Sequence, residues 1–313
     1  MGNRLIPLLL FAVLAAVPLL GLFIRDGHIL NLVARVMVFA IAALALDLLI
    51  GFGALVSFGH AAFIGIGAYA VGILASHGYD SALVGLLAAL AVSALFALVT
   101  GAISLRTKGV NFIMITLAFG QMAFYTAASL RAYGGDDGLT LASRSLIFGV
   151  QFLKNERVFY YAVLICLIAV YALLKMIAGS RFGRVLQGTK QNPQRMQAIG
   201  FNPYPYQLTA YVIAGMIGGL SGFLLANLTE FVSPSYMSWQ RSGELIVMVV
   251  MGGMGSLHGA IIGAAAFLLL EEWLSNLTEH WKVIFGPLLV LIVLYMRGGL
   301  VGFLNRLGGA RHG

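Results

Sequence analysis

Four sets of chemistry-bearing residues stand out in the 313-residue chain. Ser57 and His60 stand three residues apart, a spacing that can share one helix face, and Ser256 and His258 could meet across a turn. Either pair raises nucleophilic hydrolysis inside a membrane. A rhomboid-type protease, however, needs Gly-x-Ser-Gly, whereas this chain reads Gly253-Met254-Gly255-Ser256 and offers no evident oxyanion donor. The serines and histidines are therefore expected to satisfy backbone groups at helix breaks. Asp136-Asp137 could hold magnesium, as acidic pairs do in prenyl transfer, but such sites need further carboxylates at helical spacing. Gly138 follows instead, so a turn with exposed acids is expected. Asp47 and Arg35 are the ionisable residues that a proton- or sodium-coupled carrier would use. They lie twelve residues apart on one predicted helix, roughly 18 Å, too far to pair with each other. A structural or snorkelling role is expected for each. The single cysteine, Cys166, excludes an intramolecular disulfide framework and a cysteine-rich metal site.

These residues must be positioned inside a bilayer. Hydrophobic residues make up 60% of the chain and charged residues 10%, against ~25% charged in soluble domains. Apolar runs long enough to cross about 30 Å of hydrocarbon fall near 5–24, 29–50, 54–76, 82–105, 109–129, 158–178, 206–229, 244–272 and 283–303. The first, preceded by Arg4, is longer than a typical signal-peptide core and is read as a retained helix. The 244–272 run is interrupted by Gly252-Gly253-Met254-Gly255-Ser256-Leu257-His258-Gly259 and is expected to form two short helices or a re-entrant turn. The chain thus reads as one all-α polytopic membrane domain, 1–313, with nine or ten membrane elements. With ten crossings and both ends in the cytoplasm, that side holds eleven basic residues, among them Arg106, Lys108, Lys175, Arg181, Arg184, Lys190, Arg195, Arg297, Arg306 and Arg311, and no acid. The other side holds seven basic residues, including Arg25, Arg131 and Arg144, with seven acids. The bias has the positive-inside sign. The net charge of +8 is then topology and carries no expectation of nucleic acid.

Two loops are long enough to have work of their own. The outer one, about 130–157, carries Gly134-Gly135-Asp136-Asp137-Gly138 and an apolar patch from Leu146 to Val150. The inner one, about 179–205, is basic, and no Asp or Glu occurs from Arg157 through Thr229, which leaves Arg181, Arg184, Lys190 and Arg195 without a local acid. Within it, Asn192 as cap, Pro193 at the first position, Met196, Ala198 and Ile199 as body and Gly200 as stop predict a short helix. Such a helix could contact lipid headgroups or dock into a groove on a soluble partner. Glycines recur every four residues at Gly215-Gly219, Gly218-Gly222 and Gly255-Gly259-Gly263, a spacing for close helix approach. Ser57 to Gly65 weakly echoes Ser256 to Gly263, as internal repeats with interrupted helices do in transporters.

Five segments in order carry a resemblance: Leu46-Asp47-Leu48-Leu49-Ile50-Gly51 with Ser57-Phe58-Gly59-His60 through Gly65 and Tyr69; Thr116-Leu117-Ala118-Phe119-Gly120-Gln121; Gly134 to Leu139; Ser180-Arg181-Phe182-Gly183-Arg184 through Gly200; and Gly252-Gly253-Met254-Gly255-Ser256-Leu257. The chain resembles the permeases of branched-chain amino acid ABC transporters, M-type subunit, over about 30–300. The resemblance implies the type II importer permease fold in a bacterial inner membrane, and alternating access powered from outside this chain. It implies a second permease, two cytoplasmic ATPases that bind ATP and magnesium, and a periplasmic binding protein. No Gly-x-x-x-x-Gly-Lys-Ser/Thr loop occurs here, so this chain is expected to hold no cofactor and to catalyse nothing itself. It further implies coupling to the ATPases through Arg181, Arg184, Asn192, Pro193, Met196, Ala198, Ile199 and Gly200, although the Glu-Ala-Ala pattern of importer coupling loops is degenerate here. Ser57, Gly59, His60, Gly65, Gly120, Gln121, Gly252, Gly253, Gly255 and Ser256 are the residues expected at the pathway or its helix breaks. The path is expected to be apolar, with no charged residue at the bundle centre. Asp47 replaces a common Asn and Ala54 a usual glycine. A urea or short-amide permease of the same superfamily is the nearest alternative, and an ion-coupled secondary carrier is the alternative of another class.

Overall fold

The structure, a computed structural model, describes residues 2–20, 27–146, 154–277, 280–295 and 298–302. Arg25, the patch residues 147–150, and Arg297, Arg306 and Arg311 of the charge count lie outside them. The fold is a helical bundle: α1 (Gly2–Leu20), α2 (Gly27–Asp47) running on as a wide turn Leu48–Phe52, α3 (Ala61–Ser76), α4 (Ala82–Ser104), α5 (Val110–Ser129), α6 (Glu156–Gly179), α7 (Arg181–Gln191), α8 (Pro193–Ala198), α9 (Pro203–Thr229), α10 (Trp239–Gly252), α11 (Leu257–Leu277) and α12 (Trp281–Tyr295). Two dipeptide strands, β1 (Leu139–Thr140) and β2 (Phe231–Val232), pair antiparallel with Leu139 opposite Val232. They tie the α5–α6 loop to the α9–α10 loop and mark one face of the bundle. On that β face Asn227 accepts from the Ser145 N–H (2.7 Å), and Arg144 pairs with Glu230 (3.3 Å). The opposite face carries α7 and α8. Between the two faces α1 to α6 and α9 to α12 alternate in direction, ten helices among the described residues. Six of them, His28–Phe52, α4, α5, α6, α9 and α11, are long and apolar enough to cross a membrane on length and composition.

The centre is α2 and α9, the most fully buried of the long helices, with α3, α4, α6, α10 and α11 around them. The α9 glycines explain the crossing geometry. Gly215 and Gly219 face α4, where a Cβ on Gly215 would stand 2.6 Å from the Ala97 Cβ; Gly218 and Gly222 face α3, where a Cβ on Gly218 would stand 2.8 Å from the Phe63 Cβ. The overlapping spacing therefore serves two neighbours at once, because positions three apart lie about 60° apart around a helix. Gly252, Gly259 and Gly263 do the same for the α10–α11 crossing.

Two interruptions depart from regular helix. The 244–272 run divides at Gly253–Ser256, where Gly253 (φ +116°) and Gly255 (φ +80°) adopt a backbone that side chains disfavour. The helix expected from 54 begins only at Ala61, and residues 53–60 are irregular. Ala54 sits at φ +54°, so its backbone takes the left-handed conformation that glycine adopts freely. Gly59 packs on Gly120, where a Cβ would lie 3.1 Å from the Gly59 Cα. Gly120 is ten residues into α5, roughly 15 Å from that helix's start. The segment 53–60 thus climbs from the α7 face to mid-membrane before α3 begins.

Candidate translocation site

Irregular backbone at membrane depth is tolerated where it is covered by protein or lines a water-filled space. Segment 53–60 is covered by protein and borders a cavity. Phe58 N–H donates to the Thr116 Oγ1 of α5 (3.2 Å), and the first N–H of α3, Ala61, donates to the Ser242 Oγ of α10 (3.1 Å). On the α7 side, Gly53, Leu55 and Val56 line a cavity of about 320 Å³ together with Phe112 of α5, Lys190 and Gln207. On the β side, a second cavity of about 610 Å³ is walled by Ile66, Tyr69, Phe96, Met122, Ala123 and Met237. The first opens beside the foot of α5 and the second beside its upper half. Between them α5 closes on the irregular segment at Thr116–Gly120 against Phe58–Gly59. The β-side cavity is nearly all hydrocarbon and aromatic, which suits an apolar side chain and offers nothing to a metal ion or phosphate. No group of three or more metal-ligating residues occurs among the described residues.

The residues expected at the pathway divide into two places. Ser57, Gly59, His60, Gly65, Gly120 and the half-buried Gln121 gather at mid-membrane. His60 and Ser57 are fully buried. Contrary to expectation, neither satisfies a backbone group: both His60 nitrogens and Ser57 Oγ lack a hydrogen-bond partner. His60 instead packs edge-on against Phe63 at 5.4 Å, and Ser57 lies against the Tyr211 hydroxyl without a bond of standard geometry. Ser57 and His60 form no nucleophilic pair. Gly65 leaves the space that the Met237 side chain fills.

Gly252, Gly253, Gly255 and Ser256 lie elsewhere, on the α7 face, where the glycine turn meets the end of α2. Gly255 N–H donates to Asp47 Oδ1 (2.7 Å), Ser256 Oγ donates to the Gly253 carbonyl (2.7 Å), and Gly299 abuts Gly253, where an added Cβ would lie 2.5 Å from the Gly253 N. Asp47 is fully buried at the α7-face end of α2 and not at mid-membrane. Arg35 does not pair with it.

Arg35 belongs to a group the sequence reading missed. On the β-face half of the bundle, Arg241 and Glu244 of α10 form an ion pair (2.6 Å), and the guanidinium groups of Arg35 and Arg241 stand 6.0 and 5.6 Å from the centre of the Phe39 ring. Glu271 of α11 lies in the combined field of Arg35, Arg241, Glu244 and Glu272. His28 and Glu272 meet at 3.2 Å at its rim. Glu271-Glu272 within the apolar run of α11 was the available signal.

The coupling candidates occupy α7 and α8. Ser180 caps α7 by accepting from Gly183 N–H (3.3 Å), and Asn192 caps α8 by accepting from Arg195 N–H (2.9 Å), with Pro193 at its first position and Gly200 at φ +92° beyond its end. The predicted short helix is present. Met196 lies against Gly188, and Phe182, Val185, Met196, Phe201 and Tyr206 line an open groove between α7 and α8 whose rim carries Arg181 and Arg184. Ala198 and Ile199 are exposed, Ile199 at 62%. Lys190 is not free as the sequence suggested: its Nζ donates to the Gly51 carbonyl (2.7 Å). At the β face, Gly134, Gly135 and Gly138 have positive φ and fold the loop tightly, with Asp136 and Asp137 exposed on a short 3-10 turn.

A lipid-embedded bundle with interrupted helices and opposed cavities on one helix defines a membrane transport permease. The chain belongs to the family described as branched-chain amino acid transport system, permease component, which it matches over residues 28–294. It is 24% identical to the high-affinity branched-chain amino acid transport system permease protein LivM of Escherichia coli K12, over 89% of this chain and 71% of that protein. It is 22% identical to the corresponding permease BraD of Pseudomonas aeruginosa, over 84% and 91%. The permease LivH of Escherichia coli K12 is 28% identical over 44% of this chain and 46% of its own. No solved structure matches.

Proposed function

We propose that this chain is the M-type permease of an ATP-driven importer that passes branched-chain or other apolar amino acids. The carrying observation is the pair of cavities on α5, one toward each face, separated by the Gly59–Gly120 contact. That arrangement is what alternating access requires: a path open to one side at a time. The β-side cavity, walled by Ile66, Phe96 and Met122, accommodates an apolar side chain and gives it weak, nondirectional binding suited to release. The basic α7–α8 face is cytoplasmic under the positive-inside rule, which sets the β face toward the periplasm and the chain in the inner membrane. A second permease completes the path. ATP and magnesium sit on two cytoplasmic ATPases that grip the α7–α8 groove, and a periplasmic binding protein delivers solute to the β face. This chain holds no cofactor of its own.

The test is uptake of leucine, an aromatic amino acid and urea into proteoliposomes holding the full complex, with calorimetry of the binding protein against the same solutes. ATP-dependent leucine uptake supports the reading. Uptake without ATPase that collapses with an ion gradient supports a secondary carrier, and urea alone as ligand supports the amide branch.

A further inference from the structure

We propose that Lys190 is the positioning residue through which the coupling helix α7 holds the interrupted ends of α2 and α10 in register. This rests on the importer reading. The first observation is a cap supplied from another element. A helix leaves its last carbonyls without intrahelical donors, and α2 ends in the wide turn Leu48–Phe52. The Leu49 carbonyl accepts from Leu55 N–H (3.0 Å), whereas the Gly51 carbonyl accepts from the Lys190 ammonium at 2.7 Å. A cation at a helix C-terminus is favoured by the helix dipole as well as by the hydrogen bond. The second observation is that the glycine turn is tied to the same end of α2: Asp47 Oδ1 accepts from Gly255 N–H (2.7 Å), and Gly51 lies against the Gly255 backbone. One lysine therefore holds the end of α2 directly and, through the Gly51–Gly255 backbone contact, reaches the glycine turn that divides α10 from α11.

The surroundings give this contact no slack. Gly51 and Gly255 are in direct backbone contact, and a Cβ on Gly51 would strike both Asp47 and Gly255. Lys190 also lines the α7-side cavity beside Gly53 and Leu55, the start of the irregular segment that climbs to the Gly59–Gly120 contact. A displacement of α7 by a partner must either carry the Gly51 carbonyl along or leave it without its donor. The second gives up a hydrogen bond to a charged donor, which contributes more than a neutral one, so the motion is passed to the segment that closes the path. Lys190 has an exposed residue surface although its ammonium reaches inward, which places it where α7 can be moved from outside the bundle.

The test uses the full complex in proteoliposomes with Cys166→Ala as background. Lys190→Cys removes the donor, and alkylation with 2-bromoethylamine rebuilds an ammonium of nearly lysine length. The readout is solute taken up per ATP hydrolysed, together with stimulation of ATPase by the loaded binding protein. The expected result is assembled K190C complex with a coupling ratio lowered on the order of tenfold, the scale of one lost charged hydrogen bond, and restored to within about twofold of the parent by aminoethylation, a residual of a few tenths of a kcal/mol. Asp47→Asn, which keeps an acceptor for Gly255 N–H, is expected to loosen coupling less than K190C. A K190C complex that couples normally overturns the proposal. So does one that fails to assemble, or that stays uncoupled after alkylation, since Lys190 would then be structural only. If the Cys166→Ala parent shows no binding-protein-stimulated ATPase, the importer reading itself fails, and the two failures are thereby distinguished.

Discussion

Replacing Ile199 with aspartate isolates the docking role of the α7–α8 surface from its folding. Ile199 follows α8, is 62% exposed and carries the largest uncovered apolar area among the residues expected to meet the ATPase. Full burial of an isoleucine side chain contributes about 1.5–3 kcal/mol; the exposed fraction, if covered by a partner, leaves about 1–2 kcal/mol to be lost on truncation alone. An aspartate would also be desolvated at the interface, which adds at least about 1 kcal/mol. The sum corresponds to a Kd for the ATPase raised by roughly 30-fold or more. Met196→Asp is a poorer probe, because Met196 is packed against Gly188 and its loss would disturb α7 against α8. The assay is retention of the ATPase on the purified, detergent-solubilised permease across a concentration series, with membrane insertion checked in parallel. An unchanged Kd with I199D would refute α8 as a docking element, whatever became of transport.

Gly222→Ala is expected to destabilise the bundle by up to about 2 kcal/mol. Overpacking costs typically 1–3 kcal/mol, only partly offset by the roughly 1 kcal/mol that alanine gains over glycine in a helix, because the added Cβ meets the Ile64 backbone and no side chain can turn aside. Gly286→Ala in α12, with nothing near its Cβ, supplies the opposite sign, and thermal melting of both in detergent decides; a stabilised G222A would contradict the α3–α9 contact. For the charged group, the Arg35→Met, Glu271→Gln double-mutant cycle should show coupling of about 0.5 kcal/mol or more, read from the same melts. Additive effects would mean that the two side chains do not sense one another despite their arrangement.

The spans were legible because lipid demands long apolar runs, and the break in the 244–272 run because glycine clusters where φ must turn positive. The start of α3 was not. Residues 53–60 are as apolar as the helices they join, and what keeps them irregular is tertiary: Thr116 supplies the acceptor for Phe58, Ser242 the acceptor for Ala61, and Gly120 the room for Gly59. The α8 helix was readable from Asn192-Pro193 because a cap and its proline act locally. Lys190 was counted as one of several unpaired charges, since nothing within α7 announces that its partner is a carbonyl 139 positions earlier. The Arg35–Glu271 group failed for the same reason: its members come from α2, α10 and α11, and pattern within any one helix shows only an isolated charge.

These long-range contacts share a physical cause. A helix that stops inside a membrane protein exposes donors or acceptors that lipid cannot satisfy, and here the satisfying groups come from elements distant in sequence: Ser242 for the start of α3, Lys190 for the end of α2, Asp47 for the glycine turn after α10. Each such bond is therefore also a joint between two elements. A permanently rigid bundle would gain nothing from ending its helices at mid-depth, because continuous helices satisfy their own backbones. Interrupted helices capped from neighbouring elements can exchange one partner for another, or for water admitted by a cavity, at the cost of a single bond. The α7-side cavity adjoins one of these joints, at Gly53 and Lys190, which puts water within reach of a group that would change partners as the path opens to one face and then the other.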